Sequence, residues 1–207
     1  MTAVVPRGSA RQVWVALRVL LALTALTVLY TLLITAVGQL ALPPAANGSL
    51  LTSGGRAIGS SLIGQSFTTA KGAILPQWFQ SRPSAAGAGY DATASGPSNL
   101  GPNNRSLARS IEQRRTTLAK AFGVSPAAIP PDAVTASASG LDPDVSPAFA
   151  RLQAPAVARA RHLTVATVRA LVERFVQPPG LGYLGAPTVN VLRLNAALAK
   201  MDPAGNG

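Results

Sequence analysis

The apolar and polar positions of this chain form one long uninterrupted run and then many short ones. Residues 19–37 (VLLALTALTVLYTLLITAV) contain no charge, glycine or proline. At ~1.5 Å per helical residue they reach roughly 28 Å, close to the ~30 Å of a bilayer's hydrocarbon layer. The pattern predicts one transmembrane helix over residues 19–40, preceded by a basic segment, residues 1–18. Everything after it is too polar, or too interrupted by Gly and Pro, to cross again, so residues 41–207 are expected on one side as a single domain. Ala36-Val37-Gly38 has the small residues that a signal peptidase favours, but signal peptides use shorter apolar runs of about 7–15 residues. The run therefore reads as a retained anchor.

Within the run, Thr24, Thr27, Thr31, Thr35 and Gly38 fall on one helical face, with Leu and Val over the rest. Small and hydroxylated side chains let helices approach closely in lipid, so the stripe predicts a face for a membrane partner. The competing reading is that each hydroxyl bonds back to its own helix.

After the span, 34 of 170 residues are Gly or Pro, which predicts short elements and long loops. Residues 41–55 read as a stalk or first loop, 61–67 as a strand, 74–79 as an apolar patch, and 84–104 as a long loop. A helix follows, with Leu107, Ile111, Arg114, Leu118 and Phe122 on one face, an Asn103 or Asn104 cap, and Gly123 at its end. Residues 133–137 read as a strand entering a turn. Ser146-Pro147 has the form of a helix start, and Pro155 is expected to break or kink that helix. Thr164 caps a further amphipathic helix through Val165, Val168, Val172 and Phe175, which stops at Pro178-Pro179-Gly180. Residues 188–194 look strand-like and precede a short Ala-rich helix. Alternating short strands and helices make the domain α+β: a small loop-rich unit behind one N-terminal transmembrane helix.

Charge orients it. Arg7, Arg11 and Arg18 precede the span, whereas Arg56 is the only Lys or Arg in residues 38–56, an asymmetry that places the N-terminus in the cytoplasm and the domain outside. Trp14 suits the inner interface, and Arg18 can snorkel to the headgroups. The domain carries 15 Lys or Arg against 7 Asp or Glu. With few aromatics interleaved among the basic residues, this balance does not point to nucleic acid. Arg105, Arg109, Arg115 and Lys120 read as the solvated face of their helix.

Enzymatic constellations are missing. With one histidine, His162, and no cysteine, no N/S metal site can be assembled; His162 reads as a surface or capping residue. No serine has nucleophile-elbow spacing, and no glycine cluster continues into a phosphate-cradling loop with its lysine. Asp142 and Asp144 flank Pro143 as turn residues. The chain is therefore expected not to be an enzyme, and no metal or cofactor follows from its residues.

Several stretches together go beyond composition: residues 58–67 (IGSSLIGQSF), 78–84 (WFQSRPS), 95–104 (SGPSNLGPNN), 132–147 (DAVTASASGLDPDVSP) with Gln153 following, and 181–195 (LGYLGAPTVNVLRLN). With the single N-terminal span, they resemble the C subunit of the Kdp potassium-transporting ATPase over nearly the whole chain. The resemblance implies a non-catalytic subunit of a potassium uptake pump, with a channel-like A subunit, an ATP-hydrolysing B subunit and a small F subunit as partners beside membrane lipid. It implies that the chain stabilises the complex and acts as a catalytic chaperone raising the motor subunit's affinity for ATP. The nucleotide-related residues it points to are Ser137, Ser139, Gly140 and Gln153, with ATP as the ligand. This chain departs from the family's pattern at Ala138, where a glycine is usual, at Phe149, where Asn is usual, and at Asp144. A domain outside the membrane does not meet cytosolic ATP, so either the effect on ATP affinity passes through the membrane subunits or the orientation read from the flanks fails. The same Ser- and Gly-rich stretches also read as loops that dock on the channel subunit. The charge balance alone supports a rival, a membrane-tethered binder of anionic polymer or lipid.

Overall fold

The computed structural model describes residues 8–206; Arg7, one of the flanking arginines, lies outside them. The chain divides into two compact units, the first ending at Ser49 and the second beginning at Leu50.

The first unit is dominated by α1 (Gly8–Ala41), an unbroken helix of 34 residues with none buried. It begins well before the apolar run, because the flank is made of residues that accept helix readily. Among the described residues it is the one helix long and apolar enough to cross a membrane. The Arg18 guanidinium lies over Trp14, 5.0 Å from the ring centroid. A stalk or first loop was expected next, over residues 41–55. Instead Pro43 and Pro44 open a helical turn, α2 (Pro43–Ala46), since proline's fixed φ suits a first turn. Asn47 Nδ2 donates to Gln39 Oε1 at 3.0 Å, which ties this turn to α1, and to the Pro43 carbonyl at 2.8 Å.

The second unit opens with an antiparallel hairpin, β1 (Leu50–Ser53) and β2 (Arg56–Ser60). Gly54 and Gly55 both have positive φ, +56° and +76°, the requirement of a two-residue turn whose twist matches its strands. The strand expected over residues 61–67 is absent. Pairing is complete upstream at the Gly-Gly turn, and the following segment docks elsewhere: Gly64 N–H donates to the Leu141 carbonyl at 2.8 Å. Residues 84–104 are a loop as expected, with one 3₁₀ turn at Ala92–Ala94.

Four helices then build the domain: α3 (Arg105–Phe122), α4 (Pro147–Ala160), α5 (Val165–Phe175) and α6 (Val191–Met201). Their starts are set by side-chain caps, with Asn104, Ser146, Thr164 and Asn190 each accepting from a backbone N–H of the first turn. Gly123 ends α3 in the left-handed region. His162 does the same for α4 at φ +56°, with Leu163 N–H returning to the Ala158 carbonyl at 2.9 Å, the paired closure of a Schellman end. Thus the lone histidine is exposed and terminates a helix.

Three local expectations fail for tertiary reasons. Residues 133–137 form no strand: Pro131–Ala133 is a 3₁₀ turn, and Thr135 N–H and Oγ1 both return to the Pro131 carbonyl. Of the break or kink expected at Pro155, the break does not occur: α4 continues to Ala160. The lost helix bond and ring clash cost about 3 kcal/mol, but Ala154, Ala156, Val157 and Ala158 are buried around the proline, and packing holds the helix through it. The strand near residue 190 is three residues long rather than seven, because the Asn190 side chain accepts from Arg193 N–H at 3.1 Å and starts α6 there.

A small antiparallel sheet, in the order β3 (Asp144–Val145), β5 (Thr188–Asn190), β4 (Val176–Gln177), closes one side. Val189 pairs with Val145 on one side and Val176 on the other. The core lies where α4 packs on α3 and α5, and α5 on α6. It is filled by Phe149, Val157, Val168, Val172, Val189, Leu194 and Leu198, each such side chain stabilising the fold by about 1.5–3 kcal/mol on burial.

Candidate functional site

Residues 75–84 have almost no regular structure, yet Phe79 and Gln80 are 1% and 5% exposed. Buried backbone must find hydrogen-bond partners, and here two side-chain amides supply them. Gln153, on α4, accepts from Gln80 N–H at 2.6 Å and donates to the Gln80 carbonyl at 3.2 Å. Asn195, on α6, does the same for Phe79, at 2.9 Å in both directions. Two successive residues are thus gripped from two helices. The Gln80 side chain completes the segment by donating to the Leu75 and Trp78 carbonyls, both at 3.0 Å.

Arg161 secures the same segment from the end of α4. Its side chain is fully buried, with Nε donating to the Gln77 carbonyl at 2.7 Å and Nη1 to the Asp202 carbonyl at 3.0 Å. Its guanidinium lies 4.3 Å from the Trp78 ring centroid, a cation–π contact that compensates desolvation. Burial pulls the Arg161 pKa below its ordinary value, and Asp202 opposes the shift.

The Ser-Gly segment forms a turn held by the long loop. The Gly140 carbonyl accepts from Ser84 Oγ at 2.5 Å, while the Ser139 carbonyl accepts from Gly96 N–H at 2.9 Å and Ser95 Oγ at 3.0 Å. Gly140 has φ +68°, and a Cβ there would meet Ala86 N and Gly96 O at 2.8 Å, so only glycine fits. The Ser137 and Ser139 hydroxyls lie 3.3 Å apart, and Ser139 Oγ accepts from Leu141 N–H. The turn lines a shallow depression with Leu62, Ile63, Asp142 and Pro143. Ser137, Ser139 and Gly140 are therefore together, whereas Gln153 is absent from that depression and wholly buried.

The neighbouring charges serve the same scaffold. Arg82 Nη1 meets Asp142 Oδ2 at 2.7 Å, and Nε and Nη2 reach the Thr135 carbonyl. The Asp144 carboxylate accepts from Asn190 Nδ2 at 3.0 Å and Thr188 Oγ1 at 3.3 Å, while its N–H donates to Asp142 Oδ1 at 3.0 Å, so the two carboxylates are held by different side chains. Tyr90 Oη donates to the Arg82 carbonyl; burial is the main cause pushing its pKa up to about 12. Phe149 packs edge-on against Phe122, centroids 6.2 Å apart, so its position is occupied by core. Among the described residues no group of three or more His, Cys, Asp or Glu is placed to hold a metal.

On α1, the hydroxyls of Thr27, Thr31 and Thr35 donate to the carbonyls four residues back, at 2.9, 2.8 and 2.8 Å. The stripe that also includes Thr24 and Gly38 accordingly offers small volume and methyl groups rather than free donors at those three positions.

Asn195 and Arg161 are the residues that sequence patterns did not single out. The signal for Asn195 was present: it interrupts the apolar positions Val191, Leu192, Leu194 and Leu198, and a polar residue in a buried stripe needs a designated partner. Nothing local marks Arg161, whose partners lie in distant segments.

A sequence model of the KdpC family, K+-transporting ATPase c chain, matches residues 13–200. A Kineococcus radiotolerans protein named potassium-transporting ATPase KdpC subunit is 50% identical over 194 residues, 93% of this chain and 95% of that one. Proteins of the same name from Gemmatimonas aurantiaca and Mycobacterium tuberculosis are 53% and 47% identical, over 84% and 92% of this chain and 85% and 99% of theirs. With a matched region that runs from α1 through α6, the chain belongs to the KdpC family, the c chain of K+-transporting ATPases.

Proposed function

We propose that this chain is a non-catalytic accessory subunit of a potassium-transporting P-type ATPase. In this reading α1 anchors it with residues 1–18 in the cytoplasm and residues 41–207 outside, where the domain docks on the channel-like A subunit, with the ATP-hydrolysing B subunit and a small F subunit in the same assembly. It stabilises that assembly and raises the motor's affinity for ATP through the membrane subunits, without touching nucleotide. The observation that carries this is the burial of Gln153: both ends of its amide are engaged by the Gln80 backbone and the residue is 0% exposed, so no base or ribose reaches its remaining donor and lone pair. The turn of Ser137, Ser139 and Gly140 commits its carbonyls to the 84–96 loop, and the N–H groups of Gly140 and Leu141 are spent on the Ser137 carbonyl at 3.3 Å and Ser139 Oγ at 3.1 Å, which favours a rigid docking surface over a phosphate cradle built of free N–H donors. The relatives' names support the pump assignment.

The test is calorimetric titration of the full chain in detergent with ATP, beside ATPase kinetics of the complex assembled with and without it. No ATP binding that depends on Gln153 is expected of the chain at millimolar ATP, with a lower KM for ATP when the chain is present. Saturable binding by the chain alone, lost in Gln153→Ala with the fold intact, would overturn the indirect route. Protease added to intact spheroplasts should remove the domain; protection there would reverse the orientation.

A further inference from the structure

A cleft of about 510 Å³ opens between the 80–90 segment and one face of α3, within the size range of small-ligand sites. Ser110, Gln113, Arg114 and Thr117 line its α3 wall, Arg82 lines the other, and no Asp or Glu contributes. Spacings of three and four residues put the α3 group on one face. The cleft adjoins a second cavity that shares Gln113 and Thr117 and adds Arg109 and Glu112. Glu112 is directed to Arg115, 3.4 Å away.

The two arginines differ in their charge balance. Arg82 is paired with Asp142. Arg114 has no carboxylate partner among the described residues, although it occupies the inward stripe of α3 and is only partly exposed. Its Nη1 donates to the Val134 carbonyl at 3.1 Å, a bond that a neutral donor could make and that leaves Nε and Nη2 uncommitted. Ser110 and the Gln113 amide make no side-chain hydrogen bond to the described residues. A half-buried cation is costly unless an anion meets it, and guanidinium beside neutral donors suits an oxyanion with several acceptor oxygens.

We propose that this cleft binds a phosphate-type oxyanion, gripped by Arg114 with Ser110 and Gln113 donating beside it. The phosphate can belong to a lipid headgroup or to a free solute, and the same contacts serve both. Proximity to charge alone does not define the site, because Arg105, at the start of α3, is also an arginine and lines neither cavity.

The experiment is calorimetric titration of the full chain in neutral detergent, in one arm with inorganic phosphate and in the other with short-chain phosphatidylglycerol. One-site saturation is expected in at least one arm: phosphate binding assigns a free solute, and binding of the lipid alone assigns a headgroup. Arg114→Gln should weaken binding by about tenfold or more, as loss of a charged hydrogen bond implies, and Arg105→Gln should not change it. Since Arg114→Gln also perturbs the bond to the Val134 carbonyl, Gln113→Glu provides the fold-neutral check: residue 113 is exposed, and a carboxylate there should abolish binding with the unfolding temperature unchanged. Absence of saturation in both arms, or equal binding by Gln113→Glu, would overturn the proposal.

Discussion

Replacing Gln153 with alanine removes the one side chain that satisfies both backbone groups of Gln80. That residue is 5% exposed and Gln153 itself 0%, so water does not readily replace the lost partners. Each buried polar group left unpaired costs about 1–3 kcal/mol, and the two together give about 2–6 kcal/mol before any void is counted. For a domain of this size each kcal/mol lowers the unfolding temperature by roughly 2–4 °C, so a loss of about 3 kcal/mol appears as a fall of roughly 6–12 °C. Gln153→Leu keeps most of the volume and isolates the hydrogen bonds; it should lose nearly as much. Thermal and urea unfolding of the full chain in detergent, followed by near-ultraviolet circular dichroism, measures both variants. Asn195→Ala should behave similarly, and because it grips the adjacent residue, the double variant should depart from additivity by about 0.5–3 kcal/mol. A loss below about 1 kcal/mol in Gln153→Ala, smaller than the cost of even one unpaired group, would refute the clasp. So would a changed ATP KM of the complex with unfolding unaltered.

Gly140→Ala must place a methyl within 2.8 Å of two backbone atoms at φ +68°; the left-handed backbone alone costs about 1–2 kcal/mol, and limited proteolysis should find the 84–96 loop released. Tyr90 is neutral in the fold until its pKa of about 12 but ionises near 10.0 when unfolded. Its contribution is therefore complete below pH 10 and lost as pH rises toward 12; Tyr90→Phe should remove that decline from the pH dependence of urea unfolding. On α1, the hydroxyls of Thr27 and Thr31 are spent within the helix, so replacing both with Val should leave assembly nearly intact while replacing both with Leu blocks close approach and weakens copurification with the pump subunits. Leucine at both positions with full copurification would remove the stripe as a partner face.

Sequence alone determined the features whose causes lie within a few residues of one another. The uncharged run makes α1, and Asn104, Ser146 and Thr164 cap α3, α4 and α5 through bonds reaching two or three residues ahead. Periodicity and capping are local, and so they are legible. The family signature was also legible, since it is a matter of residues in order. Tertiary structure decided the rest. It kept α4 whole across Pro155, displaced the expected strands at 61–67 and 133–137, and separated Gln153 from the serine turn it was grouped with. The reason is distance along the chain: Gln153 meets Gln80 across 73 residues and Asn195 meets Phe79 across 116. A buried amide announces in sequence that it needs a partner, but only the packed core selects which backbone it will grip.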